Sequence, residues 1–410
     1  MMRMGNSCCK RREKVRSLSL NEINKKEKEL NNFFLNESEN QSIPIETLKY
    51  NQTDTNENED YDEEDLIRKS NSSSKAERQF SRDLIIPPLQ ISSECFKRLK
   101  TIGSGGYGKV MMVEFCDKIY AMKEIEKEKW YIDRKKERLR NERDILVQLD
   151  NPFLVKLYWS FQSESYLYMV MDFVNGGDLY HHLQIEKRFS EEKAKFYVAE
   201  ITVALNYLHD MKIVYRDLKP ENIMIDSTGH IKLVDFGLSR QFSESEDKTY
   251  SMCGTAEYVA PEILTGVGHD YQIDWWALGV VLYEMICGEK PFDNPNQNDL
   301  FRHIVHGEVI LCFDESMASL KEVIYSLLMK NPKFRWNGQN ILESEWMKNI
   351  DKEKLKKQQL TPPFIPQLGN KTDTSYFDDC FLQIDVETKE KFNIFDYEDC
   401  FDDFDYTRQM

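Results

Sequence analysis

The chain has 410 residues and a net charge of −16, with 71 Asp and Glu against 55 Lys and Arg. The length is more than one compact core usually holds, and the charge argues against a general nucleic-acid binder. Nine cysteines, with no CxxC pair and no metal-ligand spacing, read as reduced thiols in the cytosol.

Residues 1–80 are rich in Asn, Glu, Lys and Ser and poor in aromatics. Such a segment cannot bury enough apolar surface to offset its ordering entropy, so disorder is expected there. Its first residues include MGNSCCKRREKVR from Met4, a myristoylation pattern with Cys9 where Ser or Thr is usual. Were translation to begin at Met4, Gly5 would be open to acylation and Cys8 and Cys9 to palmitoylation. The basic residues from Lys10 to Arg16 would then face anionic lipid. The plain alternative is an ordinary basic terminus. No secretory signal is visible and no apolar run spans a bilayer. WWALGVVLYEMICG is short, carries Glu284 and reads as a buried helix.

Composition changes at Phe96. Alternating apolar residues in FKRLKTIGSGGYGKVMMVEF and KIYAMKEI read as strands. DRKKERLRNERDILVQL follows, with helical spacing of Leu139, Ile145, Leu146 and Leu149. Two more strands are expected near LVKLYWSFQ and YLYMVMDFV. After Gly176 and Gly177 long helical patterns take over. The expected fold is α+β and bilobal: a small β-rich lobe and a larger helical lobe over 96–346, then an acidic, proline-containing tail over 347–410.

GSGGYGKV places Gly103, Gly105 and Gly108 in G-x-G-x-x-G spacing, followed by Val110. Glycines let a backbone approach phosphates closely. Dinucleotide folds share the spacing, but they need a helix after the glycines, and here a strand is expected. Lys123 of YAMK lies on that sheet, where it would hold phosphates if Glu142 fixes its ammonium. YRDLKPENIMI and KLVDFGLSR carry the strongest signal. Asp217 is placed to accept the proton of a substrate hydroxyl, and Lys219 to neutralise a transferring phosphoryl group. Asn222 and Asp235 supply oxygen ligands suited to Mg²⁺. Phosphoryl transfer needs positioning and charge neutralisation more than covalent help.

These strings, with APE at Ala260 to Glu262, resemble the eukaryotic protein kinases over Phe96 to Trp346. Lys219, two residues after Asp217, resembles the serine/threonine kinases. Tyr215 before Arg-Asp, and CGTAEY at Cys253 to Tyr258, resemble the AGC group, named for protein kinases A, G and C. NPFLVKLYWSFQ and GHIKLVDFGLSR are nearest to its protein kinase B and serum-regulated branch. Ala256 stands where that group frequently has Pro. The resemblance implies ATP and Mg²⁺ as cofactors. It implies a nucleotide site made of Ile102, Gly103, Gly105, Gly108, Val110, Ala121, Lys123, Met171, Asp172, Val174, Asp178, Glu221 and Phe377. Asp172 to Val174 would be the adenine-binding hinge, with Met171 at the back of the pocket. Glu262 would pair with Arg335. Asp178, Glu221 and Glu284 would receive substrate arginines two or three residues before the acceptor.

The same resemblance implies two switches. Ser251, two residues before Cys253, matches the phosphorylated activation-loop residue, with Arg216 and Arg240 to receive the phosphate. Ser243, Ser245 and Thr249 are the competitors. In the tail, TPPFIPQL and DTSYFDD resemble segments that wrap both lobes, and Phe377 is expected against the nucleotide pocket. The hexad Phe-x-x-Phe-Asp-Tyr is written twice, from Phe392 and from Phe401. In the group two aromatics of this hydrophobic motif fill a groove beside the charged helix, and Asp396 stands where a phosphorylated residue is usual, as in some protein kinase C relatives. Spacing favours the first copy, Phe392, Phe395, Asp396 and Tyr397. The second copy is the alternative, or docks on an upstream activating kinase. The chain is thus expected to be a cytoplasmic or membrane-tethered monomer acting on basic protein substrates, not on nucleic acid. A kinase-like scaffold that only binds would lack one of Lys123, Glu142, Asp217, Asn222 or Asp235, and all are present.

Overall fold

The computed structural model describes residues 91–106, 108–132, 136–311, 315–388, 401 and 403–408. The proposed lipidation residues Gly5, Cys8 and Cys9, and the first hexad from Phe392 to Tyr397, lie outside them.

The chain opens with an antiparallel meander: β1 (Lys97–Gly105), β2 (Gly108–Phe115) and β3 (Lys118–Glu126). Cys116 and Asp117 join β2 to β3 with positive φ at both positions, the twist a two-residue hairpin needs. Helices α1 (Lys127–Ile132) and α2 (Lys136–Gln148) precede β4 (Leu157–Gln162) and β5 (Tyr166–Asp172). The charged run predicted to be helical is α2. Its Leu139, Ile145 and Leu146 are buried, so one stripe faces the core, while Arg138, Arg140 and Arg143 are only partly exposed and reach neighbouring segments.

Then α3 (Leu179–Glu186) and α4 (Glu191–Asp210) begin the second lobe. Asp178 and Ser190 cap them by accepting backbone N–H bonds from His181 and Lys193. Two small ribbons follow: β6 (Ile213–Val214) pairs with β9 (Arg240–Gln241), and β7 (Ile223–Ile225) with β8 (Ile231–Leu233). Beyond α5 (Pro261–Leu264) comes α6 (Gln272–Cys287), which is apolar all round and buried from Ile273 to Ile286. It is the buried helix expected from WWALGVVLYEMICG. No helix among the described residues is long and apolar enough to cross a membrane. Glu262 and Arg335 form a buried two-pronged pair, with N–O distances of 2.5 and 2.9 Å, which braces the helical lobe.

The sheet holds one strand that the sequence did not announce. Tyr406–Thr407 forms β10, antiparallel to β4, so the order is β1-β2-β3-β5-β4-β10. This strand belongs to the second hexad. Phe401 and Phe404 are fully buried, meeting edge to face with ring centres 6.3 Å apart. Gln162 donates to the Phe401 carbonyl at 2.8 Å and Ser160 to the Phe404 carbonyl at 2.6 Å. Arg143 on α2 lies over the Phe404 ring, and both Arg140 and Arg143 reach Asp403. Spacing favoured the Phe392 copy; the residues seated beside α2 are those of the Phe401 copy. In the copy seated beside α2 the acidic residue after the second aromatic is Asp405.

Candidate active site

The glycine hairpin ends β1 and starts β2, with Gly105 opposite Gly108. Gly108 has φ +125°, and a Cβ there would stand 2.2 Å from the Glu124 carbonyl oxygen. Only glycine fits. A strand follows the glycines, as the sequence required.

Beneath the hairpin, Ile102, Met112 and Ala121 form one apolar cluster, with Val110, Phe173 and Phe377 packed on it. Phe377 comes from the tail and stacks on Phe173 at 5.9 Å, with the rings 8° apart. The cluster thus brings together four of the residues expected to face an adenine ring. Met171 pairs with Ala121 across β5 and β3. Asp172 accepts from Tyr158 at 2.9 Å and from the Lys156 backbone at 3.1 Å, which fixes the turn leading out of β5.

Lys123 on β3 and Glu142 on α2 meet at 2.5 Å, both buried. Burial pushes the Glu142 carboxyl up, and the Lys123 ammonium pulls it back down. Helix α2 is also tied to the segment after Asp235. Arg138 donates to the Gly237 carbonyl at 2.5 Å and Asn141 to that of Ser239 at 2.8 Å. A shift of α2 would therefore disturb Glu142 and Asp235 together.

Asp217 is the centre of the lower half. Lys219 donates to its Oδ2 at 2.8 Å, Asn222 to the same oxygen at 2.9 Å, and Thr255 to Oδ1 at 2.9 Å. Burial raises the Asp217 carboxyl and Lys219 opposes that. For Lys219 burial works against the charge, but Asp217 outweighs it and the ammonium is held above its ordinary value. Thr255 was read from the sequence only as part of a group signature; here it bridges Asp217 and, at 2.9 Å, Lys219.

Asp235 is exposed to the cleft with φ 62°, and Arg216 has φ 69°. Left-handed backbone at non-glycine residues costs about 1–3 kcal/mol and tends to mark functional sites. Asn222 spends its amide N–H groups on Asp217, so its oxygen remains as a donor atom for a cation. Among the described residues no three His, Cys, Asp or Glu side chains form a self-contained metal centre. Asn222 and Asp235 suit a hard divalent ion that takes the rest of its shell from phosphate and water.

In the activation loop Arg216 donates to Ser251 at 2.7 Å. Arg240 instead bonds Thr249 at 3.2 Å and pairs with Glu246 at 2.8 Å. His269 clamps the loop from the other side through two backbone bonds with Thr249. Its ring is 3% exposed, and burial with Arg216 and Arg240 nearby pushes its pKa down to about 4. An unfolded chain would bind that proton near pH 6.5, so between about 6.5 and 4 the unfolded state holds more protons and stability falls as pH falls. The window corresponds to roughly 3 kcal/mol. His269→Gln should therefore lose less stability than wild type from pH 6.5 to 4.5 in urea melts. Parallel stability curves would refute it.

Two of the carboxylates expected to receive substrate arginines are engaged within the chain. Asp178 caps α3, and Glu284 accepts from Tyr258 at 2.6 Å. Sequence reasoning missed Arg408. Its side chain donates to the Leu157, Val147 and Leu149 carbonyls at 2.8, 3.3 and 2.7 Å, gripping the end of α2 and the start of β4.

A glycine-tipped hairpin above, a Lys–Glu pair behind it and a clamped aspartate below define a two-lobed kinase. The chain belongs to the protein kinase family: residues 96–347 match the protein kinase domain. It is 43% identical over 293 residues to Protein kinase 2 of Dictyostelium discoideum, covering 70% of this chain and 61% of that protein. It is 44% identical over 300 residues to serine/threonine-protein kinase gad8 of Schizosaccharomyces pombe (72% and 52% covered). It is 42% identical over 291 residues to human ribosomal protein S6 kinase alpha-6 (69% and 39%). The match thus spans from about two fifths to three fifths of these relatives. The resemblance to AGC-group serine/threonine kinases is borne out.

Proposed function

We propose that the chain transfers the γ-phosphoryl group of MgATP to Ser or Thr in basic protein substrates. The observation that carries this reading is the convergence of Lys219, Asn222 and Thr255 on the Asp217 carboxylate, in a cleft where Lys123 and Glu142 are already joined. Held by three donors, Asp217 keeps one geometry and can take the proton of an incoming hydroxyl. Lys219 and Lys123 offset phosphate charge from below and above. Mg²⁺ on Asn222 and Asp235 would supply further neutralisation.

Control is read from two contacts. A phosphate on Ser251 would meet Arg216 as a doubly charged acceptor in place of a hydroxyl. The seated Phe401 and Phe404 tie the tail to the helix that carries Glu142. The test is incubation with γ-labelled ATP, Mg²⁺ and peptides bearing arginines two and three residues before the acceptor. Label is expected on Ser and Thr peptides, not on Tyr ones, and none with EDTA. No label on any peptide from protein phosphorylated at Ser251 would overturn the reading.

A further inference from the structure

We propose that Lys290 is a specificity-determining residue: it occupies, from within the chain, acidic ground that a second substrate arginine would otherwise claim. The inference rests on the reading of Glu221 and Glu284 as substrate-facing carboxylates.

Lys290 lies just past the end of α6, where Gly288, at φ 79°, turns the chain back. Its ammonium pairs with Glu257 Oε1 at 3.0 Å. It stands 5.2 Å over the ring of Tyr258, and the hydroxyl of that ring donates to Glu284 Oε2 at 2.6 Å. One cation therefore touches, directly or through one ring, both the acidic residue beside Tyr258 and the acidic residue of α6. Glu221, from the turn Pro220–Asn222, is the third carboxylate whose charge acts on Lys290. Burial works against the charge on Lys290, but Glu257, Glu284 and Glu221 outweigh it and hold the ammonium above its ordinary value. The charge is thus permanent at neutral pH.

The arrangement copies what an arginine does on docking: a cation over an aromatic face, paired with carboxylates, half out of water. It is also incomplete. Glu221 Oε2 is buried, and no hydrogen-bond donor among the described residues reaches it. A patch with three carboxylates and one resident ammonium can still reward an incoming guanidinium, but it rewards two less than an empty patch would. Lys290 keeps a quarter of its side chain exposed, and a methionine in its place retains most of the stem volume.

The experiment uses the full chain and four Ser peptides, with Arg or Ala at each of the two positions, two and three residues before the acceptor. Wild type should favour Arg over Ala at one position and discriminate weakly at the other. Lys290→Met keeps the stem over Tyr258 and removes the charge. It should raise the Arg-over-Ala ratio in kcat/KM at the weak position about tenfold, the worth of a charge-assisted contact in a half-buried site. Lys290→Arg should behave as wild type. Lys290→Gln repeats the test should the Met variant not fold. If wild type favours Arg somewhere and both neutral variants leave both ratios unchanged, Lys290 has no such role and the substrate reading stands. If wild type and the neutral variants are indifferent to Arg at both positions, the substrate reading itself falls.

Discussion

Asp217→Asn is expected to lower kcat for peptide phosphorylation by roughly 10²–10⁴-fold, the range of a positioned general base. KM for MgATP should change little, because Asp217 is not among the residues expected to line the nucleotide site. The variant should also fold. Asparagine can keep its oxygen toward Lys219 and Asn222 and turn its amide toward Thr255, whose hydroxyl already accepts from Lys219. What it cannot do is take a proton. Burial raises the Asp217 carboxyl in the folded protein. The wild-type rate should therefore fall on the acid side as that carboxyl protonates, and the residual rate of the variant should lack this limb. Steady-state kinetics across pH measure both. Equal transfer by the two proteins would remove Asp217 from its role.

The site was legible where it depends on side chains fixed by strict spacing. Lys123, Asp217, Asn222 and Asp235 each sit in a short string whose neighbours also have a fixed job, so the strings identified themselves. Lys123 sits on β3, Asp217 lies between β6 and the turn Pro220–Asn222 that carries Asn222, and Asp235 follows β8. Arg408 was not legible, because its three side-chain acceptors are backbone carbonyls and carbonyls leave no mark in a sequence. Lys290 was missed for a related reason. Its nearest carboxylate, Glu257, lies 33 residues earlier, and an isolated lysine after a helix reads as an ordinary surface charge.

The two hexads show a different limit. Their side chains are nearly the same, so pattern alone cannot choose between them; spacing pointed to the first copy, which lies outside the described residues, and the copy seen beside α2 is the second. The residues that follow differ. Tyr397 leads into Glu398 and Asp399, whereas Tyr406 leads into Thr407 and Arg408. The second set adds a strand to β4 and ends in a cation at the C-terminal end of a helix, where carbonyls lack intrahelical partners. Strand addition and helix capping both act through the backbone, so these contacts leave no mark in the aromatic pattern itself.

Phe401→Ala with Phe404→Ala is accordingly expected to reduce peptide phosphorylation by about 5–150-fold, the usual span of coupling between distant sites. Each ring is fully buried and contributes roughly 1.5–3 kcal/mol by area, so the double variant loses most of what holds the segment down. With the segment released, Arg140 and Arg143 lose Asp403, β4 loses its outer neighbour, and the end of α2 loses Arg408. All of these contacts bear on α2 or on the strand beside it, and α2 carries Glu142 to Lys123. The fall should appear mainly in kcat, since the apolar cluster around Ile102 and Ala121 is untouched. Phe392→Ala with Phe395→Ala should leave the rate unchanged, because the groove is filled by the other copy. A synthetic peptide carrying the second hexad through Arg408 should restore part of the lost rate in trans, at concentrations near the mM range that a tether supplies for nothing. If the Phe401/Phe404 variant keeps full activity while the Phe392/Phe395 variant loses it, the first copy is the working one after all.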